Sequence, residues 1–371
     1  MARKRTTLSD SPIVRKNAQT AQMGILLCTD FHYILFQRGT TGIYLFPVLR
    51  AGGVTVRKFI FSVTLFLIPI ISIALGLEFL LREIPNVYRS KKQYLDEHAI
   101  EIEVLFLGSS HALYGINPEV LEIRSFNASH SSQTFFFDLK IFEKYRDNYA
   151  NLKAVIIPVS YFSYFYSLLE DMTQLHSLRN YRLYYNLQFP FRLESYSEIL
   201  SIKFDSNVER ILDYYIKGKN PPTSTSLGFW DFEKDSQDRR DLCQTGIERA
   251  EGHTRISSYD FFEENYNALV TIIEYCKTNN ILVLLYTPPG YKSYRENLNM
   301  EQLELMYETT YDIVEKYENC SYVDYLADSD FSADDFYDGD HLNEQGARKL
   351  TKKLYSSLKT LSGDIDSSTN N

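Results

Sequence analysis

From Phe59 to Leu81 the chain reads FIFSVTLFLIPIISIALGLEFLL, 23 residues in which Glu78 is the single charge. About 20 apolar residues in succession span the hydrocarbon core of a bilayer. Few helices of soluble proteins stay apolar all round for this long. Pro69 is compatible with the reading, because membrane helices tolerate proline. A cleaved signal peptide has a shorter apolar region, about 7–15 residues, closed by a small-residue cleavage site. No clean Ala-x-Ala follows here. Residues 59–81 are therefore read as an uncleaved, single-pass membrane anchor, with Glu78 near its far end where a carboxylate reaches the headgroups.

Orientation follows Lys and Arg near the ends of a span. Arg50, Arg57 and Lys58 precede it, and Arg82, Arg89, Lys91 and Lys92 follow. Arg57 and Lys58 abut the span, and Arg3, Lys4, Arg5, Arg15, Lys16 and Arg38 lie upstream. The expected topology has the N-terminus inside and the C-terminal domain on the extracytoplasmic side. Residues 1–50 show little periodicity, and the N-terminal segment 1–58 is expected to be disordered or foreign to the native chain, whose start would then lie near Val54 or Val56. The four cysteines, Cys28, Cys243, Cys276 and Cys320, lie far apart. No CxxC pair offers a cysteine-rich zinc site. At most one disulfide can form among the three outside.

The remainder has a globular balance, with 44% hydrophobic and 23% charged residues over the whole chain. A net charge of −9 excludes a broad non-specific nucleic-acid surface. The 29 Tyr and 24 Phe serve core packing, with a sugar-facing surface as a second use. Residues 82–99 read as a linker. Short apolar runs at Ile102–Leu107, Ser125–Asn127, Ala154–Val159, Ile281–Tyr286 and Ser321–Leu326 alternate with helical segments. That rhythm predicts an α/β domain over 100–360, with a parallel sheet between helices. Residues 161–258 interrupt it as a mostly helical insertion, and 361–371 form a polar, disordered tail.

Two segments carry chemistry. Gly108-Ser109-Ser110 follows the first sheet strand, and open α/β sheets bind ligands at the carboxyl ends of their strands. A serine there can place its hydroxyl in the cleft; a plain small-residue turn has the same composition. The second segment, Tyr337-Asp338-Gly339-Asp340-His341-Leu342-Asn343, precedes the final helix. An Asp three residues before a His can fold back over a tight turn and accept its Nδ1–H, leaving Nε2 as a base. Metal binding by Asp338, Asp340 and His341, or simple helix capping, is the alternative. An EF-hand is excluded by Phe336 and Gln345 at its third and twelfth positions.

Together the two segments resemble the SGNH (GDSL-like) hydrolase superfamily over roughly residues 100–360. That family carries its nucleophilic serine in a G-D-S or G-S-S block after the first strand and an Asp-x-x-His block before the last helix. The resemblance implies a three-layer, parallel-sheet SGNH/flavodoxin-like domain, here preceded by one transmembrane helix. It makes Ser110 the nucleophile, His341 the base and Asp338 its orienting group; Asp340 is expected to matter little, so that Asp340→Asn is mild, as for a bystander. His111 is set aside, since sequence neighbours seldom align for proton transfer. The second block, often Asn-x-Gly, is Asn127-Ala128-Ser129 here, which implies oxyanion or substrate contacts from Asn127 and the Ser129 N–H. The third block, Gly-x-Asn-Asp, is absent: Ser160-Tyr161-Phe162-Ser163 stands after Val159, and Ser160 takes the corresponding place.

An anchor joined to such a domain resembles the cell-envelope acyl-handling proteins of bacteria, such as the D-alanyl transfer protein of teichoic acid operons and the alginate O-acetylation proteins. The implied function is a membrane-anchored serine esterase or O-acyltransferase on O-acylated envelope or exported polysaccharide. No cofactor and no metal are called for. The expected partners are an acylated glycan or small ester, the membrane through one helix, and envelope-biosynthesis proteins. The other class is a catalytically weak, tethered glycan-binding or assembly protein that uses the same cleft.

Overall fold

The computed structural model describes residues 23–28, 32–39, 42–46, 53–221, 224–230 and 241–368. The chain divides into two compact units, residues 1–75 and 76–371.

The first unit holds three strands, β1 (Met23–Cys28), β2 (His32–Gly39) and β3 (Gly42–Phe46), paired antiparallel in that order. This departs from the expectation of disorder for 1–58. The runs MGILLC, HYILFQRG and GIYLF are rich in strand formers. The short connections bring Cys28 opposite His32 and Gly39 opposite Gly42, so pairing is local. Helix α1 (Gly53–Glu83) follows. Its part from Val56 to Glu83 contains an 18-residue stretch with a mean hydropathy of 2.5 and is long and apolar enough to cross a membrane.

The second unit is built on five parallel strands: β4 (Val104–Phe106), β5 (Ser125–Asn127), β6 (Ala154–Pro158), β7 (Leu282–Thr287) and β8 (Cys320–Asp324). Their spatial order is β5-β4-β6-β7-β8. The inner strands are buried on both faces, which is why they read as unbroken apolar runs. Alternate residues pack to opposite sides. Leu105, Val155, Ile157, Val283 and Leu285 meet Ile141, Leu269, Ile272 and Ile273, while Val104, Phe106, Ile156 and Leu284 meet Ala112, Leu350, Leu354 and Leu358. The result is three layers.

The covering helices are α2 (Val87–His98), α3 (Ser110–Gly115), α4 (Phe135–Tyr145), α5 (Leu175–Leu183), α6 (Glu198–Ser201), α7 (Phe204–Ile211), α8 (Leu242–Ile256), α9 (Phe262–Thr278), α10 (Lys292–Arg295), α11 (Met300–Lys316) and α12 (Glu344–Ser368). The insertion over 161–258 is largely helical, as its lack of strand runs predicts.

Two boundaries and the place of Glu78 differ from the sequence reading. Residues 82–99 are no linker: Asn86 caps α2 by accepting the Arg89 N–H at 3.0 Å, and Val87, Tyr88 and Leu95 are buried in the domain. Three apolar positions among many polar ones conceal that face. The closing helix runs on to Ser368, through residues expected to be a disordered tail. Glu78, near the far end of the apolar run, is held by the domain: its carboxylate accepts the Ser197 hydroxyl and the Glu198 and Ile199 N–H groups at the start of α6.

The strand order reverses between β4 and β6, the switch point at which sheets of this order hold ligands. Ser110 begins α3 directly after β4.

Candidate active site

Gly108 leaves β4 at φ +117°, a conformation open to glycine, and a Cβ there would lie 2.2 Å from Pro158 Cγ. Its N–H donates to the buried Asp138 carboxylate at 2.7 Å, and its carbonyl accepts the His130 N–H at 3.2 Å. These bonds aim the turn so that Ser110 is the first residue of α3, where a backbone N–H has no acceptor one turn back. The Asp138 carboxyl is pushed up to about 7 by burial, against hydrogen bonds from Gln133 and Gly108.

The second half of the site is a closed turn. The Tyr337 N–H donates to the His341 carbonyl at 2.9 Å. Asp338 Oδ1 accepts the backbone N–H groups of Asp340 at 3.1 Å and His341 at 2.9 Å. Gly339 lies against α8, where a Cβ would be 2.2 Å from Gly246 Cα. Asn343 then caps α12, its side chain accepting the Gly346 N–H at 3.0 Å.

The two halves meet in a line of contacts. Ser110 Oγ lies 2.9 Å from His341 Nε2, and His341 Nδ1 lies 3.1 Å from each oxygen of Asp338. Asp338 accepts only, so Nδ1 carries the proton and Nε2 is left to accept from Ser110. All three residues are buried yet line a cleft of about 550 Å³, together with Tyr114, Ser131 and Arg249.

Asp340 has a different place from the one expected of a bystander. It is buried and holds Arg249 through Nε–Oδ1 at 2.8 Å and Nη2–Oδ2 at 3.0 Å, with His111 Nε2 at 3.1 Å. Burial alone would raise its carboxyl. His341, Arg249 and His111 instead hold it well below the usual range. His111 and His253 are both pushed down, chiefly by burial, which keeps these imidazoles neutral at neutral pH. His111, Asp340 and His341 set ligand-type atoms within 4.8 Å of one another. Asp340 is already shared between Arg249 and His111, and the guanidinium opposes a cation beside it.

The remaining sequence-derived positions do not face the cleft. Asn127 Nδ2 donates to the carbonyls of Ala112 and Ile116, both at 2.9 Å, and so ties β5 to α3. Its Oδ1 accepts the Ser129 N–H at 3.1 Å and also the Ser129 hydroxyl. The Ser129 N–H assigned to the oxyanion is therefore spent within its own loop. Ser160 Oγ pairs with His111 Nδ1 at 2.7 Å. These three positions are corrected from substrate contacts to loop and network contacts.

Sequence reasoning missed Arg249. Its Nη2 lies 3.3 Å from His341 Nε2, which sets a cation beside the serine–histidine contact. Arg249 and His253 share a face of α8 at a spacing of four, the one local signal that could have marked them. Cys243, Cys276 and Cys320 are free thiols, the last two buried.

No family model matches the chain, and no curated protein matches it. Among solved structures it is similar to a proposed acylhydrolase from Bacteroides fragilis, at 13% identity and a TM-score of 0.35, covering 72% of this chain and 96% of the other. It is also similar to a GDSL-like lipase from Bacteroides thetaiotaomicron, at 11% identity and a TM-score of 0.35, covering 75% and 99%. A third, proposed as a platelet activating factor from Streptococcus pneumoniae, has 12% identity and a TM-score of 0.37, covering 78% and 98%. Likeness at this level assigns no chemistry, which has to come from this chain's own side chains.

Proposed function

We propose that the chain is a membrane-anchored serine esterase or O-acyltransferase that works through an acyl-enzyme on Ser110. The observation that carries this is the continuous relay from Ser110 Oγ through His341 to Asp338, opening on a cleft at the sheet's switch point. Ser110 Oγ attacks the ester carbonyl carbon while His341 Nε2 takes the hydroxyl proton. Asp338 stabilises the imidazolium and fixes its tautomer. The tetrahedral intermediate collapses, the C–O bond to the leaving alcohol breaks, and His341 returns the proton to that oxygen. Water or a sugar hydroxyl then attacks the acyl-Ser110 ester by the reverse sequence, giving an acid or a new ester.

Charge develops on the carbonyl oxygen, and the site needs donors for it. Without the third-block Asn, and with the Ser129 N–H engaged, Arg249 and the Ser110 N–H take that role in this reading. Asp340 balances the Arg249 charge and keeps it from holding His341 in an unproductive pair. The α1 helix tethers the domain, extracytoplasmic in the orientation proposed, and holds the cleft close to envelope or exported glycans carrying O-acyl groups, at a raised effective concentration.

Pre-steady-state hydrolysis of 4-nitrophenyl acetate by the full chain in micelles tests this. An initial burst of nitrophenol matching the enzyme present, followed by slow turnover that an added oligosaccharide acceptor accelerates, is expected for a transferase. A burst without acceptor response marks a hydrolase. No burst and no turnover would favour the glycan-binding alternative.

A further inference from the structure

Helix α7 buries a polar side and turns part of its apolar surface outward. Asn207 is buried, with Nδ2 donating to the Glu198 carbonyl at 3.2 Å, and Arg210 donates to the buried Glu198 carboxylate at 2.8 Å. Asp205 and Glu209 are exposed, and Val208 and Ile211 are half-buried. Phe204 is 64% exposed, and Leu212 and Ile216 follow at spacings of eight and twelve in the turn that continues the helix, Ile216 at 75%. Phe191, Leu193, Tyr196 and Leu200 extend the exposed apolar surface along the preceding turns. Contiguous patches of this kind mark interaction surfaces.

The segment is firmly held. Glu198 is fully buried between Arg179 at 2.7 Å and Arg210. The whole stretch is also bonded to the last turns of α1. Glu78 caps α6, Arg82 Nη2 donates to the Tyr196 carbonyl at 2.9 Å, and the Tyr215 hydroxyl donates to the Leu80 carbonyl at 2.9 Å. Glu78 and Arg82, paired at 2.7 Å, are the charges that end the apolar run of α1. A charged pair at the end of a span stands at the boundary between lipid and water. A segment bonded to that pair stands at the same depth.

We infer that residues 191–216 form an interfacial collar whose outward apolar side chains enter the headgroup and upper acyl region of the bilayer that α1 crosses. The proposal rests on the anchoring reading above. Helices with one apolar face lie in the interface plane in this way. A collar would fix the orientation of the domain on the surface, where a lone helix would leave it free to tumble.

The test is lipid quenching of tryptophans placed in the full chain, which has one native Trp. Phe204→Trp and Ile216→Trp probe the collar. Phe66→Trp probes the span, and Tyr311→Trp is the water-facing control. Each is measured in nanodiscs of phosphatidylcholine with and without bromine on the upper acyl chain. Loss of the added emission at 66, 204 and 216 but not at 311 is expected. Quenching at 66 without quenching at 204 and 216 overturns the collar and leaves the anchor standing. Blue-shifted but unquenched emission at 204 and 216 means that protein covers the face, and it too overturns the collar. Absence of quenching at 66 as well removes the anchoring reading together with the collar.

Discussion

Arg249 and Asp340 form a two-pronged ion pair, at 2.8 and 3.0 Å, that touches the same imidazole as Ser110 does. The two acidic residues of the Asp-x-Asp-His turn therefore divide the work: Asp338 orients His341, and Asp340 neutralises Arg249. Asp338→Asn should cut kcat by about 10⁴, as loss of the orienting carboxylate does in serine proteases, while the fold holds. Asp340→Asn should cut kcat less but destabilise the protein by about 1–3 kcal/mol, since it strands a partly exposed guanidinium beside buried imidazoles. Steady-state kinetics beside denaturant titration of the full chain in micelles measures both. The reverse ranking in kcat would exchange the two roles.

Arg249→Gln should lower kcat by about 10²–10³, the cost of one oxyanion donor in a well-studied protease, with KM little changed. Arg249→Lys should recover only part of the loss, because an ammonium cannot reproduce the two-pronged contact with Asp340. Unchanged kcat in Arg249→Gln would remove the guanidinium from transition-state stabilisation.

Gly108→Ala should be severe, at roughly 2–5 kcal/mol, through the combined cost of a left-handed backbone and an overpacked neighbour. Gly218 also has a positive φ, at +65°, but nothing lies within 4 Å of a Cβ there. Gly218→Ala should therefore carry only the left-handed backbone cost, about 1–2 kcal/mol. Denaturant midpoints of the two variants, compared with the parent, give the contrast directly.

Legibility in the sequence followed the range of the interaction. The five strands were readable because both faces of the inner strands are buried, leaving apolar runs with no polar alternation. Ser110, Asp338 and His341 were readable because each lies in a short local segment whose residues constrain one another. Arg249 was not, since it reaches the site only through packing of Gly246 on Gly339, a contact between positions 93 apart. Asn127 and Ser129 misled for a related reason. Their residue types suit an oxyanion loop, but the fold turns the Ser129 N–H onto Asn127 Oδ1. The inward polar face of α7 was hidden likewise, because Glu198 and Arg179 come from outside that helix.

Asp138 gives the fold a pH dependence of defined sign. Its carboxyl titrates near 7 in the folded protein, against an ordinary value near 3.8. Between these values the folded state binds more protons than the unfolded state, so stability falls as pH rises. The contribution is complete below about pH 4 and gone above about pH 7. Asp138→Asn keeps the acceptor for Gly108 and removes the titration. Denaturant midpoints of parent and variant should therefore diverge in the variant's favour from pH 4 to pH 7, by up to a few kcal/mol. Parallel pH profiles would mean that Asp138 does not hold a proton in the fold.

The central claim is that Ser110 is a nucleophile activated by His341, and a fluorophosphonate probe measures this most directly. Intact-mass and peptide analysis of the labelled full chain should find one adduct, on Ser110. That adduct should be absent from Ser110→Ala and strongly reduced in His341→Ala, with both variants folded. A folded parent that takes no label, or labelling of Ser110 that is indifferent to His341→Ala, would contradict the account.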